Sequence, residues 1–152
     1  MIAEATQVTI RAVPFASILD DPAFPDLLEA YKEDCSAPNA GPQRGIYEAM
    51  EKAGLLHCFA AYADDLLVGF VSLMTVGMPH GNRMTTGESI FVDPEYRGTG
   101  AGEALISAAE EYVDAIGTDL SWLPRIGSAF DKVLGRRRGY TPTHTQHTRW
   151  LK

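Results

Sequence analysis

Hydrophobic residues recur along the chain with two spacings, and each spacing predicts a different element. The clearest helical pattern begins at Ala101 and ends at Ile116, where apolar residues repeat every three or four positions with charged residues between them. Alternating or continuous apolar runs that end at Pro, Gly or Asp predict strands. The predicted strands are 7–13, 56–63, 66–76, 84–92, 120–123 and 143–151, and the predicted helices are 25–35, 43–53, 101–116 and 128–137.

The order of these elements, β-α-α-β-β-β-α-β-α-β, predicts the fold class. Asp64 and Asp65 separate two apolar runs and so predict a hairpin. A chain that combines hairpins with helices favours a mixed α/β (α+β) sheet with helices packed on its faces. Because no repeat, low-complexity segment or long linker divides the sequence, we expect a single domain over residues 1–152.

Composition adds a charge asymmetry to this picture. The 152 residues are 45% hydrophobic, which suits one ordered domain, and the net charge of −7 argues against a general nucleic-acid binder. Residues 1–76 carry all of the excess acid, residues 77–152 are neutral, and residues 125–152 are locally basic with Asp131 as their single acid. This distribution favours a cationic substrate together with an anionic ligand bound by the second half.

The two cysteines and the N-terminus bear on compartment and metal binding. Cys35 and Cys58 have no metal-ligand spacing, and Cys58 lies in an apolar run, so we expect reduced thiols, a core position for Cys58 and no metal. Residues 1–19 lack the basic start and apolar run of a signal peptide, and no stretch has the apolar length of a membrane span. The expected location is cytoplasmic, away from membranes.

The most informative segment runs from Ile90 to Gly102. A strand ends at Asp93-Pro94, a short turn follows, and Gly98, Gly100 and Gly102 lead into the predicted helix over 101–116. Glycines permit close approach of a ligand to the backbone, and the first turn of a helix attracts anions, so this segment predicts a phosphate site. A Walker loop and a dinucleotide fingerprint are both excluded, because Glu103 occupies the position that each motif needs for another residue.

The motif Arg-x-x-Gly-x-Gly, which starts at Arg97, resembles the pyrophosphate loop of the GNAT superfamily of acyl-CoA-dependent N-acyltransferases. Residues 88–98 resemble that family's fourth strand and turn, and Arg138-Gly139-Tyr140 resembles its late Gly-aromatic signature. Together with the order of elements, the similarity covers essentially residues 7–151. The resemblance implies a GNAT-like fold and an N-acetyltransferase that uses acetyl-CoA.

The resemblance also implies which residues bind acetyl-CoA. The pyrophosphate is expected on the glycine turn, and pantetheine is expected to pair with the fourth strand, where a backbone N–H also stabilises the oxyanion. The implied cofactor-binding residues are Phe91, Val92, Arg97, Gly98, Thr99, Gly100, Ala101 and Gly102. Most of these are main-chain roles, so the identity of the side chain says little.

The acceptor implied by the family is an amine, on a small molecule or a peptide, which must lose a proton before it attacks. Glu88 is the first catalytic candidate, since strand alternation predicts that it shares a face with Ile90 and Val92 and the family often has a Glu there. His80, in the loop before the fourth strand, is the second. Acidic residues around the first predicted helix suit a cationic acceptor or serve solubility alone: Asp20, Asp21, Asp26, Glu29, Glu33 and Asp34.

One departure from the family pattern leaves the acid that protonates the thiolate unassigned. The family often has a tyrosine four residues before the Gly-aromatic pair, and this chain has Gly135. The missing tyrosine leaves open a non-catalytic acyl-CoA sensor, and the basic run 136–138 leaves open a nucleic-acid-associated protein. That run also suits the 3′-phosphate of CoA, an acidic partner or a solvated helix end. A homodimer is implied only as the family's common habit.

Overall fold

The computed structural model describes residues 6–77 and 80–151, and five strands of this part form one sheet in the order β1-β2-β3-β4-β5. The three pairs from β1 to β4 are antiparallel, and β5 is parallel to β4. The strands and helices in chain order are β1 (Val8–Ala12), α1 (Phe15–Leu19), α2 (Phe24–Asp34), α3 (Arg44–Lys52), β2 (Leu56–Ala63), β3 (Leu66–Gly77), β4 (Arg83–Val92), α4 (Ala101–Ile116), β5 (Asp119–Ser121) and α5 (Ala129–Arg136).

The mixed sheet confirms the predicted fold class, and helices pack on both of its faces. One face packs against α1 and α2 through apolar side chains that include Ile18, Leu27 and Phe70. The other face packs against α4, whose Leu105 and Ala109 are fully buried. The apolar stripe of α4 was visible in the sequence because burial of one helix face requires that spacing.

The chain divides into two compact units, a larger one that ends at Trp122 and a smaller one that begins at Leu123. The larger unit contains the sheet and α1 to α4. In the smaller unit, α5 begins where Ser128 caps it by accepting a hydrogen bond from the Asp131 N–H at 3.1 Å. One domain over residues 1–152 stays a prediction.

The predicted final strand, 143–151, is wrong. Residues 141–151 have no regular secondary structure and are exposed, including Trp150 and Leu151 at 82% and 100% exposure. The alternation of Thr and His there supplies β-propensity but no apolar face to bury, and propensity without burial does not hold a strand. The short helix α1, which buries Phe15 and Ile18, was missed because five residues are too few to show a period.

Among the residues that the structure describes, no helix combines the length and apolar character that crossing a bilayer requires.

Candidate active site

Strand β4 carries one residue more than β3 at Glu88. Its neighbours Gly87 and Ser89 lie opposite adjacent residues of β3, so Glu88 has no partner across the pair and forms a β-bulge. The bulge turns Glu88 toward α3, whereas Ile90 and Val92 pack on the α4 face of the sheet. The prediction that these three side chains share one face is therefore wrong, because it assumed unbroken alternation.

Two hydroxyl groups hold the Glu88 carboxylate. The Tyr47 hydroxyl donates to Oε1 at 2.9 Å, and the Ser72 hydroxyl donates to Oε2 at 2.5 Å. Ser72 is 1% exposed, so its hydroxyl is a buried donor on β3. Since each carboxylate oxygen accepts more than one hydrogen bond, the group stays able to bind an ammonium.

Tyr47 itself is fixed by packing. Its ring stacks on Phe15 with centroids 4.0 Å apart and planes 12° from parallel. Burial raises the pKa of the Tyr47 phenol above its usual value, and the nearby Glu88 carboxylate raises this pKa further. Tyr47 is therefore protonated at neutral pH and acts as a donor to Glu88.

A cavity of about 360 Å³ opens beside this carboxylate. Helix α3 contributes Ile46, Tyr47 and Met50, the sheet contributes Met74 and Glu88, and the loop before α3 contributes Gly41 and Gln43. The volume is in the range of small-molecule sites, whose walls are mostly apolar with a few polar groups that fix orientation. This cavity has that composition.

The edge of β4 beyond the bulge is open toward β5. The two strands pair only over residues 84–86 and 119–121. The Asp93 N–H donates to the Val68 carbonyl across the β3 pair at 2.8 Å. Because backbone groups alternate in direction along an antiparallel strand, those of Phe91 face β3 and those of Ile90 and Val92 face the open edge. Of the two strand residues predicted to bind the cofactor, only Val92 turns its backbone to this edge.

The glycine turn lies at the end of the same strand. Gly98 and Gly100 have φ of +87° and +88°, and a Cβ at either would meet nothing within 4 Å among the described residues. Gly100 is the N-cap of α4 and offers no side chain to its first turn. The N–H groups of a first turn lack intrahelical acceptors and carry the positive end of the helix dipole. The turn thus fits an anion that approaches the backbone closely.

Arg97 does not extend freely over this turn. Its Nη2 and Nη1 lie 2.9 and 3.4 Å from the Asp34 carboxylate, at the end of α2, and its Nε donates to the Val92 carbonyl at 3.1 Å. The guanidinium also lies over the Phe91 ring, 5.4 Å from its centroid. Arg97 therefore ties α2 to the end of β4 beside the predicted phosphate site.

The structure does not bring His80 to Glu88. His80 is exposed in the turn before β4, and the five residue-to-residue steps from Arg83 to Glu88 span about 16 Å of extended strand. His57 stacks on Tyr112 with centroids 4.2 Å apart, and burial lowers the pKa of its imidazole. His57 belongs to packing rather than to the Glu88 cavity.

The burial of Cys58 confirms the prediction that this residue lies in the core. It is 2% exposed, and burial raises the pKa of its thiol to about 12. Within residues 6–77 and 80–151, no group of three or more His, Cys, Asp and Glu residues could hold a metal ion.

Sequence reasoning missed Tyr47 and Ser72. A signal for Ser72 was present, since it is a polar residue inside the apolar run of β3. Tyr47 left no comparable signal, because its partner lies 41 residues away in sequence.

The comparison with family models finds one match. Residues 22–127 match the model of the acetyltransferase (GNAT) family. This span is well over half of the chain and includes α2, the bulged β4 and the glycine turn. No curated protein sequence matches the chain significantly.

Solved structures agree on the fold. An aminoglycoside acetyltransferase from an uncultured soil metagenomic sample superposes with a TM-score of 0.73 at 14% identity, covering 95% of this chain and 97% of its own. Glucosamine-6-phosphate N-acetyltransferase from Arabidopsis thaliana gives 0.73 at 15% identity, covering 96% and 99%. Ribosomal-protein-alanine N-acetyltransferase from Brucella melitensis biovar Abortus 2308 gives 0.70 at 20% identity, covering 96% and 100%. At these identities, the similarity shows a common fold.

Proposed function

The chain belongs to the acetyltransferase (GNAT) family, and from that premise we propose that it is an acetyl-CoA-dependent N-acetyltransferase that acetylates a primary amine by direct attack on the thioester. The observation that carries the proposal is that three features of a possible active site lie along β4. This one strand carries the Glu88 carboxylate beside a cavity, an open backbone edge, and a glycine turn that leads into the N-terminus of α4.

The residues of the turn and the strand edge suit acetyl-CoA. Residues 97–102 would hold the pyrophosphate on backbone N–H groups at the helix N-terminus. The outward backbone groups of Ile90 and Val92 would take the pantetheine arm as a neighbouring strand takes its partner. When bound, acetyl-CoA supplies the activated acetyl group.

Glu88 acts on the amine. An alkylamine has a pKa of about 10, so it reaches the site as an ammonium ion that the carboxylate attracts. Glu88 orients this group and accepts its proton, directly or through water, so that the nitrogen lone pair is free to attack. A C–N bond forms, the C–S bond breaks, and the products are the N-acetyl amine and CoA.

An acyl-cysteine route is disfavoured. A thiol attacks only as the thiolate, and Cys58 with a pKa of about 12 is protonated at neutral pH. Departure of CoA needs no dedicated acid, since a thiol with a pKa near 8.5 is a fair leaving group.

The test combines calorimetry of acetyl-CoA binding with an amine screen monitored by release of free CoA thiol. We expect Glu88→Gln to bind acetyl-CoA normally and to lose about 100-fold or more in kcat/KM, which is the usual range for removal of a general base. Glu33→Gln is the matched control, because it makes the same chemical change on an exposed residue of α2 and should leave activity intact. Undiminished turnover in Glu88→Gln would contradict the role of Glu88.

His80 is tested in the same assay. It stays a second proposed base, and His80→Gln separates the two, since a loss there with Glu88→Gln unaffected would transfer the role to His80.

Gly135, where the family often has a tyrosine, favours a second candidate function, a non-catalytic acyl-CoA sensor. The same measurements separate the two functions. Tight acetyl-CoA binding without thiol release on any amine supports the sensor, whereas thiol release on one amine excludes it.

A further inference from the structure

The cavity beside Glu88 has an apolar wall that the core covers only in part. Helix α3 is strongly amphipathic, yet none of its residues is fully buried. Ile46 is 54% exposed, and Met50 and Met74 are only partly covered. An apolar stripe on a helix normally exists to be buried, so a ligand that covers this wall would gain free energy from its own apolar surface.

Glu88 is the charged residue among those described that line the cavity. Three of the six acidic residues around α2, which could have suited a polycationic acceptor, form ion pairs with other side chains, and none of the six lines the cavity. Asp20 pairs with Arg44, Glu29 pairs with Lys32, and Asp34 pairs with Arg97. The lining therefore offers one site for one ammonium, and it contains no cationic side chain for a phosphate or carboxylate.

We infer that the acceptor is a monoamine whose amino group is carried on an unbranched apolar chain. Its ammonium pairs with Glu88, and its chain lies against Ile46, Met50 and Met74. This inference rests on the proposed function and narrows it. A second ammonium or a phosphate on the same molecule would lose its water without gaining a partner, and that penalty disfavours such acceptors.

The methionines set how selective the cavity is. Methionine side chains are flexible and adapt to ligands of different shape, so the wall should accept chains of several lengths. Each added methylene that is buried contributes about 0.8 kcal/mol, which corresponds to about a 4-fold gain in affinity. The expected dependence on chain length is graded, without a sharp optimum for one shape.

The test measures binding and turnover separately. Primary n-alkylamines from propyl to hexyl vary apolar length at nearly constant amine pKa. Binding is followed by the ¹³C-methyl NMR signals of Met50 and Met74, and turnover is followed by release of CoA thiol. We expect affinity and kcat/KM to rise about 2–4-fold per methylene. Hexylamine should exceed 1,6-diaminohexane and glucosamine 6-phosphate by about 10-fold or more.

A negative charge added to the apolar wall of the cavity tests whether the wall excludes a second ammonium. Ile46 is exposed and lies in the first turn of α3, where a glutamate suits the helix dipole, so Ile46→Glu should retain the fold. We expect Ile46→Glu to shift preference about 10-fold toward the diamine. Ile46→Gln loses the same apolar contact without gaining the charge, so it should shift the preference much less, and the difference between the two variants measures the added ammonium–carboxylate pairing.

The outcomes separate the inference from the function on which it rests. Binding of the diamine or the sugar phosphate that equals or exceeds binding of hexylamine overturns the inference, and so does affinity that is independent of chain length. Graded binding of alkylamines without thiol release from any of them supports the inference about the ligand and contradicts the proposed function alone.

Discussion

At the scale of single residues, the hydrogen bond from Tyr47 to Glu88 bears most directly on the proposed role of Glu88. Removing the hydroxyl in Tyr47→Phe keeps the ring stacked on Phe15 and takes one of two donors from the carboxylate. We expect a loss of about 10-fold in kcat/KM, because Glu88 is then oriented by Ser72 alone. The change in stability should stay within about 1 kcal/mol, the net value of one hydrogen bond.

Steady-state kinetics across pH and urea unfolding check this prediction. Tyr112→Phe is the control, since it removes the same hydroxyl from a ring that stacks on His57 instead. Equal kinetics in the two variants would mean that Tyr47 has only a packing role.

At the scale of elements, a helix or strand could be predicted where its buried residues recur at a regular spacing in the sequence. Strand β2 and helix α4 have the predicted bounds, because each buries a face and burial imposes spacing. The bulge at Glu88 left no mark, since one extra residue alters pairing without altering composition. The face predicted for Glu88 was therefore wrong, and its catalytic role stays a proposal.

Contacts between residues that are far apart in the sequence could not be predicted from it either. The pairing of Asp34 with Arg97 and of Tyr47 with Glu88 depends on how α2 and α3 pack on the sheet. The glycine turn that leads into α4 was predicted because it is built from neighbouring residues, whereas its role in phosphate binding stays a proposal.

Helix α4 offers a test of the anion site that separates binding from stability. A Cβ at Gly102 would meet only Val92 Cγ2 at 3.8 Å, which is ordinary contact, so both Gly102→Ala and Gly102→Asp should fold. Replacing glycine in a helix stabilises it by about 0.5–1 kcal/mol, and an acid in the first turn adds a few tenths of a kcal/mol through the dipole. The same negative charge opposes a pyrophosphate at that turn.

We therefore expect Gly102→Asp to unfold at higher urea concentration than the parent chain and yet to bind acetyl-CoA at least about 10-fold more weakly. Calorimetry with acetyl-CoA measures the affinity, and Gly102→Ala controls for the added Cβ. If the aspartate variant binds as tightly as the alanine variant, the pyrophosphate does not lie at this helix terminus.

At the scale of the whole molecule, an ion pair joins the acidic first half of the sequence to its second half. The acidic first half of the sequence contacts the neutral second half through Asp34 and Arg97, which are 63 positions apart. Both side chains are more than two-fifths exposed, so the pair contributes little to stability. If acetyl-CoA binds at the glycine turn as proposed, the main effect of the pair is electrostatic, because Asp34 offsets the positive charge of Arg97.

Asp34→Asn should therefore tighten acetyl-CoA binding. The guanidinium of Arg97 keeps its hydrogen bond to the Val92 carbonyl and loses its anionic partner, so its charge becomes available to a phosphate. We expect the Kd for acetyl-CoA to fall about 3–10-fold, with at most about 1 kcal/mol lost in stability. Asp26→Asn makes the same change in net charge elsewhere on α2 and should leave the Kd unchanged. Equal gains in both variants would assign the effect to net charge, and a weaker affinity in Asp34→Asn would show that the ion pair holds Arg97 in the geometry that the ligand needs.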